Sequence, residues 1–411
     1  LLDGLKNAGY QIDEALKADY EQYIEAENKK NTLDSSQPFS RFMPVPRPTE
    51  LIPTTKVLSE QVAKADVALV TLGRTSGEFV DRNVSDFELS EEELQLLKSV
   101  SQAFHAAGKK VVVVLNIGGV IETASWKKLP DAILLAWQAG QEGGNSVTDV
   151  LSGKVSPSGK LTMTFPNKLM DVASSTNFPM DARANTDVRN KEDKRSSVKN
   201  VDYTDYEEDI FVGYRYYDTK EMDVLFPFGH GLSYTTFAYS NMKLDKTEMN
   251  DTETLTVQVD VTNTGDRFGK EVVQLYVMPP KGNVIRPVKE LKGFEKIGLH
   301  PGETKTVTFT LGKRAFAYYD TDLHAWNVES GSYRIALGQS SRNILANQEV
   351  QVHSTTQKRP ELTMDTMFGD IMTIPGAKEV MAEAMAIMNN YFDPLELVML
   401  IVGIGAVIVW V

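Results

Sequence analysis

Residues 73–82, Gly-Arg-Thr-Ser-Gly-Glu-Phe-Val-Asp-Arg, hold the side chains of this sequence best placed to do chemistry. They follow Val67-Ala68-Leu69-Val70-Thr71-Leu72, a short apolar run of the kind that forms a strand covered on both faces. Open α/β sheets place ligands outside the carboxyl ends of their strands. Glu78, with Gly77 before it and Asp81 and Arg82 after it, is therefore the first candidate for a working carboxyl group. Taken alone, one Glu after a strand has little specificity, and a solvated loop acid is the plainer reading of it.

The elements that must carry this loop can be read on both sides of it. Residues 59–65 are expected as a helix running into the strand at Val67. Ser90 is the N-cap of a helix over residues 90–107, with Glu93 at the capping-box position and Leu94, Leu97, Val100 and Phe104 at helical spacing. Residues 110–116 and 131–137 are two more buried strands, each ending in a glycine-bearing loop, and a helix is expected after each strand. This alternation predicts a parallel sheet with helices on its faces. No GxGxxG opens a helix and no GKS or GKT closes a loop, so the glycines serve tight turns rather than a phosphate site.

Upstream, residues 1–29 read as two helical stretches separated by a turn into a short strand around Gly9 to Ile12, and the proline-bearing residues 31–53 as a loop over the surface. Residues 167–200 form a long polar excursion. Residues 201–219 then gather Asp202, Tyr203, Asp205, Tyr206, Glu207, Glu208, Asp209, Tyr214, Tyr216 and Tyr217, a mixture that suits either a sugar subsite or a solvated loop. From Phe237 the periodicity changes to two, as in Leu255-Thr256-Val257-Gln258-Val259-Asp260-Val261, and predicts an antiparallel β-sandwich. The domains expected are residues 1–180 (α/β), 181–236 (linker with the acidic and aromatic stretch), 237–353 (β-sandwich) and 354–411 (tail).

Composition narrows the chemistry. The 411 residues carry 43 basic and 56 acidic side chains, a formal charge of −13 with no basic stripe, which argues against nucleic acid as a partner. There is no Cys, so thiolate nucleophiles, disulfides and Cys-based zinc sites are excluded; the five His are scattered, and neither a metal nor a cofactor is expected. The sequence starts without Met or a signal peptide and reads as a piece of something longer; its compartment, cytoplasmic or secreted and membrane-anchored, stays open. Residues 397–411 are an uncharged apolar run, shorter than the roughly 20 residues that span a bilayer. A truncated membrane helix, an interfacial anchor making membrane contact, and a segment buried against missing protein all fit it.

Four motifs, in order, carry a family resemblance. Residues 73–82 resemble the Ser-Gly-Glu-Gly-x-Asp-Arg stretch of family 3 glycoside hydrolases, the β-glucosidase family. Residues 210–218 (Ile-Phe-Val-Gly-Tyr-Arg-Tyr-Tyr-Asp) are similar to its Gly-Tyr-Arg-Tyr segment, and residues 226–237 to the lead into its fibronectin type III-like domain. Glu290-Leu291-Lys292-Gly293-Phe294 and Leu299-His300-Pro301-Gly302-Glu303 are similar to that domain itself. The resemblance implies an (α/β) six-stranded sandwich domain followed by a fibronectin type III-like antiparallel β-sandwich. It implies that Glu78 is the general acid/base of a retaining β-glycosidase, foremost a β-glucosidase, with Arg74, Ser76, Asp81 and Arg82 binding substrate or supporting the loop. Phe79 departs from the family pattern, which has Gly there.

The resemblance further implies that the nucleophilic Asp lies on a (β/α)8 barrel of the same protein, before or after this segment, and that the barrel's sugar-binding Lys-His pair lies there too. Asp86, in Ser85-Asp86-Phe87, looks like the nucleophile motif but sits beside the acid/base loop and is read as a decoy. The expected partners are a β-linked oligosaccharide or glucoside and that barrel. A β-xylosidase or N-acetylhexosaminidase of the same family, and a non-catalytic carbohydrate-binding or assembly module, are the alternatives.

Overall fold

The computed structural model describes residues 1–31, 48–74, 84–176, 206–282, 284–321, 323–356, 366–372 and 376–389. The chain opens with helices α1 (Leu2–Asn7), α2 (Glu14–Lys30) and α3 (Thr55–Lys64). Between α1 and α2 no strand forms among the described residues. Gly9 turns the chain with φ +86°, and Asp13 starts α2 directly, its side chain accepting a hydrogen bond from the Leu16 amide at 2.8 Å. The short strand read around Ile12 is replaced by this cap.

Strands β1 (Val67–Arg74), β2 (Lys110–Ile117) and β3 (Ala132–Leu135) pair in that order, all parallel. Helix α4 (Glu91–Ala106) packs on one face with α3, burying Leu96, Leu97, Val100 and Phe104 against Val70, Leu72, Val111, Val113 and Leu115. The Ser90–Glu93 capping box closes its first turn. The expected helix between β2 and β3 is absent: residues 118–131 cross over in turns. Fully buried Trp126 of this crossover joins the α/β core and donates its indole N–H to the Glu122 carbonyl at 2.8 Å.

Two side-chain clusters fix this layer at its amino edge and flank. Asp131 accepts from Lys110 Nζ (2.7 Å) and the Val111 amide (2.9 Å) and meets His105 Nε2 (2.8 Å), so one carboxylate ties the end of α4 to the start of β2. The hydrogen bond from Lys110, then those from Val111 and His105, hold its pKa far below the usual carboxylate range. Helix α5 (Gly143–Leu151) lies so close to α1 that a Cβ on Gly4 would run into the Gly144 carbonyl.

After β4 (Phe165–Pro166), α6 (Tyr214–Thr219) and β5 (Val224–Phe226), the chain enters the β-sandwich. Its elements are β6 (Phe237–Leu244), β7 (Glu248–Asn250), β8 (Leu255–Asn263), β9 (Gly269–Met278), β10 (Glu290–Leu299), β11 (Thr304–Leu311), helix α7 (Lys313–Phe316), β12 (Tyr318–Asp320), β13 (Ala325–Asn327), β14 (Gly331–Gly338) and β15 (Ile344–His353). One sheet has the order β10-β9-β14-β15-β7 and the other β11-β8-β6, with β12–β13 a separate hairpin. Leu255, Val257, Val259 and Val261 alternate inward along β8 and are fully buried against Val273, Leu275, Ile335 and Leu337 of the facing sheet. The chain therefore folds as a mixed α/β sandwich domain followed by a fibronectin type III-like β domain.

The two layers are joined by buried polar contacts. Lys160 donates to the Gly231 carbonyl at 2.8 Å and lies 3.5 Å from the buried Glu271 carboxylate, which also accepts from Tyr239. Gln274 donates to the carbonyls of Gly229 and Gln339 (3.1 and 2.7 Å). Gly229 has φ +81°, and any Cβ there would strike the Gln274 amide, so only glycine fits.

Two outcomes follow. Gly4→Ala should lower stability by about 1–3 kcal/mol, as overpacking does, measured as a fall in the urea midpoint at unchanged slope; an unchanged midpoint would show that α1 and α5 move apart freely. Asp131→Asn should be less stable than the wild type at pH 7. Because the native pKa is depressed, the stabilisation is complete above the unfolded carboxyl value near 3.9 and fades as pH falls through the native one. The gap in thermal midpoint should thus close below about pH 4, and a gap constant with pH would contradict this.

Candidate active site

Strands β1, β2 and β3 all end on one edge, and from that edge β1 delivers Arg74 as its last residue. The guanidinium does not point outward. Its Nη1 and Nη2 reach Glu93 Oε1 and Oε2 at 2.7 and 2.8 Å, a two-pronged ion pair in which both side chains are almost fully buried, 4% and 0% exposed. The remaining donors go to main-chain carbonyls: Nη1 to Gly73 (2.8 Å), Nε to Asp86 (3.0 Å) and Nη2 to Glu88 (2.9 Å). Glu93 completes the arrangement by accepting from the Ser90 amide at 2.8 Å.

One side chain thus holds both stems of the loop, the end of β1 and the 3-10 turn Val84–Phe87, against the amino end of α4. Asp86 sits in that turn, and its carbonyl is what Arg74 grips. Ser76, Glu78, Asp81 and Arg82 lie outside the described residues. What the structure fixes is the frame: stems clamped at the carboxyl edge of a parallel sheet, where open α/β folds hold ligands.

One residue on this edge was invisible to sequence reading. Trp137 follows β3 with φ +51°, a conformation that costs a non-glycine residue of order 1 kcal/mol or more. It packs at the edge of the α/β core with its ring 6.2 Å from Phe165. In the sequence it is merely the last apolar residue of a strand-like run, and no local signal marks the turn.

The aromatic stretch after residue 206 resolves differently from either expectation. Tyr206, Glu207 and Asp209 are exposed and Glu208 half-buried, while Asp202, Tyr203 and Asp205 lie outside the described residues; Tyr214 and Tyr217 are not a sugar platform. Tyr214 stacks on Phe228 with centroids 4.6 Å apart and accepts a hydrogen bond from the Leu291 amide at 2.8 Å. Tyr217 is buried, and burial, with Asp171 and Tyr216 nearby, pushes its pKa up to about 12. Asp218 pairs with Arg342 (2.7 Å) and Lys289 (3.3 Å) of the β domain. Helix α6 is a dowel between domains, and its rings are spent on packing.

The model of the glycosyl hydrolase family 3 C-terminal domain matches residues 2–234, and that of the fibronectin type III-like domain residues 271–341. The chain belongs to glycosyl hydrolase family 3. Thermostable beta-glucosidase B of Acetivibrio thermocellus is 42% identical over 338 residues, a match covering 82% of this chain and 41% of that protein. An exo-alpha-(1->6)-L-arabinopyranosidase of Bifidobacterium breve is 41% identical, with 80% and 40% covered. Among solved structures, beta-glucosidase 3B from Thermotoga neapolitana in complex with glucose superposes with a TM-score of 0.74 at 40% identity, covering 85% of this chain and 46% of that one. The family 3 chain described here therefore spans about two fifths of the length of the curated relatives it matches.

Removing one partner of a buried, two-pronged ion pair strands the other charge, at a cost of about 3–5 kcal/mol. Arg74→Met and Glu93→Gln should each lower stability on that scale in urea unfolding, and Arg74→Met/Glu93→Leu should recover a good part of the loss. Single-variant losses under 1 kcal/mol would show that the pair does not hold the loop stems.

Proposed function

We propose that this chain supplies the general acid/base half of a retaining β-glycosidase active site, with Glu78 in that role and the nucleophilic Asp on a barrel domain of the same protein. The observation that carries the reading is the Arg74 clamp, which fixes both stems of the family 3 loop at the carboxyl edge of the sheet. Retaining hydrolysis uses two carboxyl groups about 5–5.5 Å apart. The barrel Asp attacks the anomeric carbon while Glu78 protonates the departing glycosidic oxygen. Glu78, now ionised, then takes a proton from water as that water attacks the glycosyl-enzyme, which returns both groups to their starting states. The first step requires Glu78 protonated at working pH, which burial or a neighbouring negative charge provides. In this reading Ser76, Asp81 and Arg82 hold the loop or touch the sugar, and Arg74 acts from below it as a positioning residue.

The substrate is a terminal β-D-glucosyl residue, the specificity that the names of most of the similar proteins carry. A relative named for releasing L-arabinopyranose shows that the same architecture also serves other pyranosides. The choice between them falls to the barrel, where the sugar-selecting side chains are expected.

The 411 residues alone should hydrolyse aryl β-glucosides negligibly, and robust turnover by the purified chain would sink the divided-site reading. In the protein with its barrel, Glu78→Ala should slow alkyl glucosides by roughly 10²–10⁴-fold and activated aryl glucosides far less in the glycosylation step, with azide restoring turnover as glucosyl azide. Equal loss on both substrates, without azide rescue, would count against the acid/base role.

A further inference from the structure

The hairpin β12–β13 has two unlike faces. Inward, Tyr318, Asp320 and Asn327 close on one another: Tyr318 donates to Asp320 (3.2 Å), Asn327 donates to the Tyr318 hydroxyl (3.1 Å), and the Leu323 amide caps Asp320 (3.2 Å). Outward, Tyr319 and Trp326 stand directly across from each other, rings 5.5 Å apart at 70°, and are 49% and 40% exposed. Arg314 of α7 lays its guanidinium 3.4 Å from the Trp326 ring centroid. His324, in the connecting turn, is held at φ +47°.

The polar groups of this outward face are open to solvent. Among the described residues, no hydrogen bond or ion pair engages the Arg314 guanidinium, the Trp326 indole N–H or the Tyr319 hydroxyl. The inward hydrogen bonds hold the hairpin on one face, and the cross-strand ring pair with Arg314 adds to it on the other while staying open to solvent. Ring faces bordered by unpaired donors match a ligand that offers C–H faces and many acceptor oxygens. The chain carries a formal charge of −13, which disfavours an anionic polymer and does not oppose an uncharged ligand.

We propose that Tyr319, Trp326 and Arg314 form a second, non-catalytic carbohydrate site on the β domain, taking a neutral β-linked glucan chain. Tyr319 and the face of Trp326 that Arg314 leaves uncovered pack on pyranose C–H faces, while Arg314 and the indole N–H donate to hydroxyl and ring oxygens. The choice of a β-glucan rests on the glycosidase reading above; the site itself does not require Glu78.

Isothermal titration of the 411-residue chain with cellopentaose and with laminaripentaose tests it, with Trp fluorescence followed alongside. The site predicts saturable binding that Arg314→Ala and Trp326→Phe each weaken at least tenfold at unchanged thermal midpoint, and that Glu78→Gln leaves as it was. Retention of Glu78→Gln binding separates this site from the catalytic half-site, whose own failure would show only in the hydrolysis assays. No binding of either sugar, weakening below tenfold in both variants, loss of binding on Glu78→Gln, or self-association of the chain that Trp326→Phe abolishes would each overturn the proposal.

Discussion

The buried pair of Arg74 and Glu93 is the contact on which the site's frame depends. A guanidinium taken out of water is tolerable only if its donors are met, and here carboxylate oxygens and three main-chain carbonyls meet them. The geometry is demanding because those acceptors come from three pieces of chain: Gly73 near the end of β1, Asp86 and Glu88 in and just after the 3-10 turn, and Glu93 in the first turn of α4. Satisfying one cation therefore fixes the relative positions of all three. Glu93 does double service, since the same carboxylate closes the capping box that starts α4.

Both stems of the loop are thus held from outside it, through main-chain carbonyls that one side chain grips. The same economy recurs at the domain junction. There Tyr214, Lys160 and Gln274 bind backbone groups and Asp218 pairs with Arg342, so buried polar contacts and stacked rings help to attach the β domain.

Much of this was legible in the sequence, for reasons that differ by element. The strands at Val67 and Lys110, the Ser90 cap and the period-two run at Leu255 are local patterns, and the structure follows them. The missing helix between β2 and β3 was not legible: Trp126 of that crossover is fully buried in the α/β core, a tertiary placement that no local periodicity encodes. Tyr214 and Tyr217 fit a solvated loop better than a sugar platform by composition, and composition does not say which surface an aromatic ring will meet. Arg74 and Glu93 stand 19 residues apart, and only the fold reveals them as a pair. The role proposed for Glu78 rests on motif order rather than on geometry, because Glu78 lies outside the described residues.

That division of the active site is the central claim, and trapping the glycosyl-enzyme tests it most directly. Full-length protein treated with a 2-deoxy-2-fluoroglucoside bearing an activated leaving group should accumulate one covalent adduct, located by peptide mass spectrometry. The account predicts that the label falls on an Asp outside these 411 residues and leaves Glu78 and Asp86 unmodified. A label on Asp86, or on any other residue of this segment, would contradict it.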